Sequence, residues 1–99
     1  MKAIVLKNFG GPDALHLEDV PTPQPSADEV LVKVSSVSVN RTLDLVVRAG
    51  NYPIKIQVPH VLGVDPAGVI AEVGSNIDKL KVGERVAIVS FIACKRCRR

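Results

Sequence analysis

A mainly β fold, a partly open barrel of short strands with one short helix, is what this sequence predicts. Three observations carry that expectation. The 99 residues are 46% hydrophobic, mostly Val, Ile, Leu and Ala with Phe9, Tyr52 and Phe91 as the aromatics, and β-branched side chains suit a pleated surface. The apolar runs are short and separated by turn residues, as strands are. Helical spacing recurs in one segment, where Leu43, Val46 and Val47 stand at i, i+3 and i+4.

Taken in order, Lys2 to Lys7 is a first strand that ends at Gly10-Gly11-Pro12-Asp13, a cluster that fixes a turn. Leu15, Leu17 and Val20 suggest a second strand before Pro21, Pro23 and Pro25, which remove ladder donors and make an extended connector. Val30, Val32 and Val34 share one parity while Val37 and Val39 take the other, so a bulge or bend near Ser35-Ser36 is expected to restore one inward face. The helix follows, capped near Asn40 or Thr42, with Asp44 and Arg48 at pairing distance and Gly50 at its left-handed end. Residues 69–73 and 85–90 form two further strands.

The formal net charge of +3 points to no anionic partner. Lys95, Arg96, Arg98 and Arg99 are four of the thirteen basic residues, and without them nine basic residues face ten acidic ones. A nucleic-acid surface needs its charge spread over a folded face, preferably with stacking aromatics, so nucleic acid is not an expected partner. The start MKAIVLKNFGG is too short an apolar run for a secretory leader or a membrane span, and a cytoplasmic location is expected. Cys94 and Cys97 form one C-x-x-C, read in a reducing compartment as a metal or redox pair.

EVLVKV, NRTLDLVVRAGNYP, VPHVLGVDPAGVIAEVGS and KVGERVAIV follow one another along the chain. By their order and spacing, nearly the whole chain resembles the medium-chain dehydrogenase/reductases, a superfamily of alcohol dehydrogenases and quinone oxidoreductases. The resemblance implies a GroES-like barrel joined to a Rossmann domain that binds NAD or NADP. Residues 1–99 are then expected to be the N-terminal part of the GroES-like catalytic domain, reaching the start of a structural-zinc lobe, with the Rossmann domain outside this chain. No G-x-G-x-x-G phosphate loop follows a strand here, so NAD(P)(H) is expected in the full-length protein and not on residues 1–99 alone.

Zinc-type members of the superfamily hold a catalytic zinc at positions that correspond here to Asn40, Val64 and Asp65. Valine has no lone pair to give, and an amide is a poor ligand beside a thiolate or imidazole, so catalytic zinc is not expected. The pattern resembles the zinc-independent quinone oxidoreductase branch, which passes hydride between NADPH and an enone or quinone. The resemblance implies that Asn40 and Thr42 are catalytic hydrogen-bond donors and that Arg41 contacts cofactor phosphate. It also places Tyr52 beside a small-molecule substrate. The segment is one residue longer than the family spacing to Asp44: anchored on Asp44, the ligand position falls on Arg41 and the hydroxyl position on Leu43, whereas the left-anchored alignment, preferred here, retains the roles given to Asn40, Arg41 and Thr42.

Each assignment has a structural alternative. Asn40 or Thr42 can cap the helix, Arg41 can be a solvated charge, and Tyr52 can be an amphipathic plug with a wet hydroxyl. His16 and His60 lack a second ligand at metal spacing and read as ordinary surface residues. Cys94 and Cys97 resemble the first half of a four-cysteine structural-zinc lobe, incomplete here, or are incidental. The rival function is a co-chaperonin-like barrel that assembles into a ring without catalysis; homo-oligomerisation of the full-length protein is left open.

Overall fold

The computed structural model describes residues 1–91 and Cys94. Strand β1 (Lys2–Leu6) is the centre of a first antiparallel sheet. Strand β2 (Leu15–Asp19) lies on one side of it, with Lys2 opposite Asp19 and Leu6 opposite Leu15. Strand β4 (His60–Val61) lies on the other side. The turn expected at Gly10–Asp13 is present, and Pro12–Ala14 form a single 3-10 turn with proline in its first turn, where no N–H is needed.

The second sheet holds β3 (Val30–Ser36), β5 (Ala67–Val73) and β6 (Arg85–Ala87) in the order β3-β5-β6, all antiparallel. Val34 faces Gly68 and Ser36 faces Ala67, so Ser35 is the extra residue of a bulge where the change of valine parity predicts one. A second slip lies on the partner strand, because Leu31 faces Glu72 and Val32 faces Ile70, leaving Ala71 as the extra residue. Gly68 is buried where the two strands approach, and a Cβ there would collide with the Lys33 carbonyl.

Helix α1 (Arg41–Arg48) follows β3 in the chain, with the buried Val47 on its inner side. Val47 joins Val5, Leu6 and Ile70 as the buried apolar core of the described residues. Val5 and Leu6 are adjacent in one strand, so both faces of β1 are covered, as a central strand requires. Among the described residues the regular structure is mostly strand with one α-helix, and the two sheets do not close on each other, which matches the partly open barrel expected.

Two details differ from expectation. The Ser35 bulge does not return the following valines to an inward face: Val37 is half-exposed and Val39 is 91% exposed. Pairing in β6 ends at Ala87 and not Ser90, although the Ile88 N–H still donates to the Pro66 carbonyl at 2.9 Å. Among the described residues no helix is long and apolar enough to cross a membrane.

Candidate functional site

Helix α1 begins with a reciprocal cap. The Leu43 backbone N–H donates to Asn40 Oδ1 at 3.0 Å, and the Asn40 backbone N–H donates to Asp44 Oδ2 at 2.9 Å. Two backbone donors that a helix start leaves unpaired are thereby satisfied, and Asp44 also places negative charge in the first turn, where the helix dipole favours it. The capping role anticipated for Asn40 is what the side-chain oxygen performs. An amide has a second end, and among the described residues no partner takes Asn40 Nδ2. Arg41 and Thr42 follow on the first turn, both exposed.

The expected Asp44–Arg48 pair does not form. Asp44 is used by the cap, and Arg48 Nε donates to the Gly10 carbonyl at 3.1 Å. The Gly10 N–H returns a bond to the Arg48 carbonyl at 2.9 Å. The β1–β2 turn therefore clasps the far end of the helix. Gly50 seals the clasp: it has φ +77°, and a Cβ there would lie 2.9 Å from Cγ of the Phe9 ring.

Beyond that end, Tyr52 is half-buried in a shallow cavity of about 90 Å³ that it lines with Phe9, Val47, Gly50, Ile54, Lys55 and Ile56. The cavity's lining side chains are aliphatic or aromatic except for the Lys55 ammonium, with the Tyr52 hydroxyl the one other polar side-chain group. Sequence reasoning selected Tyr52 and missed the rest of this wall, because Phe9 reaches it only through the clasp. Asn40, Arg41 and Thr42 thus gather at one end of α1 and Tyr52 follows the other, separated by a helix of about 12 Å.

The loop before β5 is brought to the Asn40 segment. Ser38 Oγ donates to Asp65 Oδ2 at 2.6 Å, and a Cβ on Gly63 would touch Val37. Sequence reasoning missed Ser38, whose partner lies 27 positions away. The bond bears on the metal question. Of the three positions where zinc-type enzymes carry ligands, Val64 offers no lone pair, Asn40 Oδ1 is engaged in the cap, and an Asp65 oxygen already accepts from Ser38. These donors do not fit a tetrahedral zinc. Among the described residues no three His, Cys, Asp or Glu side chains gather as a metal-holding group. Cys94 is exposed, and Cys97 lies outside the described residues.

Glu29, in the turn before β3, has its carboxyl pKa lowered. The Ser26 backbone N–H, 2.9 Å from Glu29 Oε2, holds this exposed carboxyl below the usual carboxylate range, and the Ser26 side chain adds to the effect.

Comparison with known proteins matches residues 26–99 to the alcohol dehydrogenase GroES-like domain. The chain belongs to that family. Among its relatives are quinone oxidoreductase of Lama guanicoe, 39% identical over 94% of this chain and 28% of the relative, and sorbitol dehydrogenase of Bacillus subtilis, 41% identical over 98% and 27%. Alcohol dehydrogenase of Schizosaccharomyces pombe is 37% identical over 87% and 24%.

Solved structures agree with this placement. An NAD-dependent alcohol dehydrogenase superposes with a TM-score of 0.91 at 38% identity, over 100% of this chain and 29% of the other. Escherichia coli quinone oxidoreductase complexed with NADPH superposes with a TM-score of 0.81 at 30% identity, over 88% and 26%. The chain spans about a quarter of the length of the relatives it matches.

Proposed function

We propose that residues 1–99 are the N-terminal part of the GroES-like catalytic domain of an NAD(P)-dependent oxidoreductase. It moves hydride to or from a small carbonyl, enone or alcohol substrate without a catalytic zinc, in the manner of the quinone oxidoreductases. The observation that carries the zinc-free reading is the donor set itself: Val64 has no lone pair to give, and Asn40 Oδ1 is taken by the Leu43 N–H, which leaves Asp65 as the one strong ligand of the three. The relatives named quinone oxidoreductase and the NADPH complex of the Escherichia coli enzyme support the nicotinamide assignment. They favour it over a ring-forming co-chaperonin.

In this reading the bound nicotinamide supplies or accepts the hydride and is held mainly by a Rossmann domain outside residues 1–99. Hydride arriving at the β-carbon of an enone leaves negative charge on the substrate oxygen. Asn40 Nδ2 and the Thr42 hydroxyl are the donors assigned to that oxygen, and the N-terminal end of α1 adds the positive end of its dipole. Arg41, exposed at the first helical position, is assigned to cofactor phosphate. Tyr52 and its apolar wall hold the substrate's hydrocarbon part. Cys94 and Cys97 are assigned as the first two thiolates of a structural-zinc lobe that needs two more. A cytoplasmic location belongs to the same reading.

Cobalt(II) titration of the chain carrying Cys94→Ser and Cys97→Ser tests the zinc-free centre. The expected spectrum lacks the intense visible bands of a tetrahedral site. Such bands at one equivalent, or one zinc retained per chain through dialysis, would contradict the proposal.

A further inference from the structure

Phe9 stands in the turn after β1, and the residues around it fix where its ring lies. The Gly10 N–H, next in the chain, donates to the Arg48 carbonyl at 2.9 Å, and Arg48 Nε donates back to the Gly10 carbonyl at 3.1 Å. The residue that follows Phe9 is thus tied to the end of α1 from both of its backbone groups. Gly50 completes the seat. It takes φ +77°, and a Cβ on it would come within 2.9 Å of Phe9 Cγ and 3.2 Å of Phe9 Cβ and Cδ2. The ring lies on the Gly50 backbone, in the space that a side chain there would fill.

The same ring is a wall of the Tyr52 cavity. Phe9 and Gly50 line it on one side, with Tyr52, Val47, Ile54 and Ile56 completing the apolar lining. Each partner that seats the ring is a described residue of this chain, so its place at the cavity rests on contacts made and not on surface left open. A phenyl ring is rigid and has only its two side-chain torsions to adjust, whereas an unbranched chain such as methionine refits around whatever enters. A wall built of it therefore sets a width.

We infer that Phe9 is a specificity-determining residue for the substrate's hydrocarbon part and that Arg48 is the positioning residue that sets it. The inference rests on the reading of the Tyr52 cavity as the place where that hydrocarbon lies. In that reading a group carried on the β-carbon of an enone meets both rings. The cavity is about 90 Å³, against the ~150 Å³ of a cavity that takes a benzene ring. The favoured substrates are enones with hydrogen or a short alkyl group on the β-carbon, and an aryl group there meets the Phe9 ring.

Arg48 acts at one remove. It does not line the cavity, and its guanidinium reaches Phe9 only by holding Gly10. Arg48→Met removes that donor and leaves the backbone bond from Gly10 N–H in place, so the turn is loosened and not detached.

Steady-state kinetics of the full-length protein, with NADPH and with NADH, test the inference. The substrates are methyl vinyl ketone and benzylideneacetone, enones that differ by a phenyl ring on the β-carbon, and the quantity read is the ratio of their kcat/KM values. Enzyme lost to misfolding lowers both values alike and cancels, so a role in stability alone leaves the ratio where it was. Phe9→Ala is expected to shift the ratio toward benzylideneacetone by about tenfold or more, the effect that one methylene has in an apolar pocket. Phe9→Trp shifts it the opposite way. Arg48→Met shifts it in the direction of Phe9→Ala and adds nothing in the Phe9→Ala background, because it acts through that ring. A parent protein that turns over neither enone would refute the substrate reading of the cavity, and this inference with it. Turnover of the enones with a ratio that Phe9→Ala and Phe9→Trp leave unchanged would overturn the inference alone, and an Arg48→Met shift undiminished without the Phe9 ring would overturn the role given to Arg48.

Discussion

Asn40 is the residue where structural and chemical roles can be separated. Asn40→Ala removes the 3.0 Å bond from Leu43 N–H and leaves the Asn40 backbone N–H on Asp44 untouched. Loss of such a cap costs about 1 kcal/mol within a range of roughly 0.5–2, or a Tm lower by about 4–8 °C for a domain of this size. Asn40→Asp keeps an oxygen for Leu43 and gains about 0.3–1 kcal/mol from a carboxylate at the helix start. Repulsion from Asp44, already beside the residue 40 backbone, offsets that gain. Its stability is expected within about 0.5 kcal/mol of the parent chain. Urea unfolding followed by circular dichroism measures both. An alanine variant as stable as the parent, or an aspartate variant as weak as the alanine one, would refute the capping geometry. The pair also tests chemistry, because aspartate retains the cap and lacks the amide N–H group assigned to the substrate oxygen.

Gly68→Ala is expected to separate β3 from β5, since its Cβ would meet the Lys33 backbone, and to cost more than the ~1–3 kcal/mol of ordinary overpacking; a melting curve within 2–3 °C of the parent (less than about 1 kcal/mol) would contradict it. Gly50→Ala is expected to lose about 1 kcal/mol or more through its positive φ and the Phe9 ring, and an unchanged denaturation midpoint would contradict the clasp. Glu29 has a folded-state pKa below its unfolded one. Its contribution is therefore fully present above the unfolded pKa and is lost as pH falls through the lowered folded value. The stability difference between the parent and Glu29→Gln is expected to shrink across that acidic window, and a difference independent of pH would count against the Ser26 bond.

The parts of the fold legible in the sequence are those that local periodicity encodes. The parity switch between Val34 and Val37 marked the Ser35 bulge, and the spacing of Leu43, Val46 and Val47 marked α1. The slip at Ala71 left no trace, because its neighbours on β5 are apolar at both parities. Strand β4 was missed because a two-residue strand has no period to detect. Asp44 and Arg48 had the spacing of an ion pair, yet each found a backbone partner that helical spacing does not reveal. At the candidate site, the Asn40 cap could be read locally. The Ser38–Asp65 bond and the Phe9 wall of the Tyr52 cavity join segments far apart in sequence and required the fold.

Hydride transfer by a chimera tests the central claim most directly. Residues 1–99 would replace the aligned part of Escherichia coli quinone oxidoreductase, whose structure with NADPH superposes on 88% of this chain. NADPH oxidation at 340 nm with a quinone substrate would be followed with and without a zinc chelator. The account predicts turnover that the chelator leaves unchanged and that Asn40→Asp lowers by about 10²-fold or more, as loss of an oxyanion donor does. A folded chimera without turnover, or turnover abolished by the chelator and restored by zinc, would contradict it.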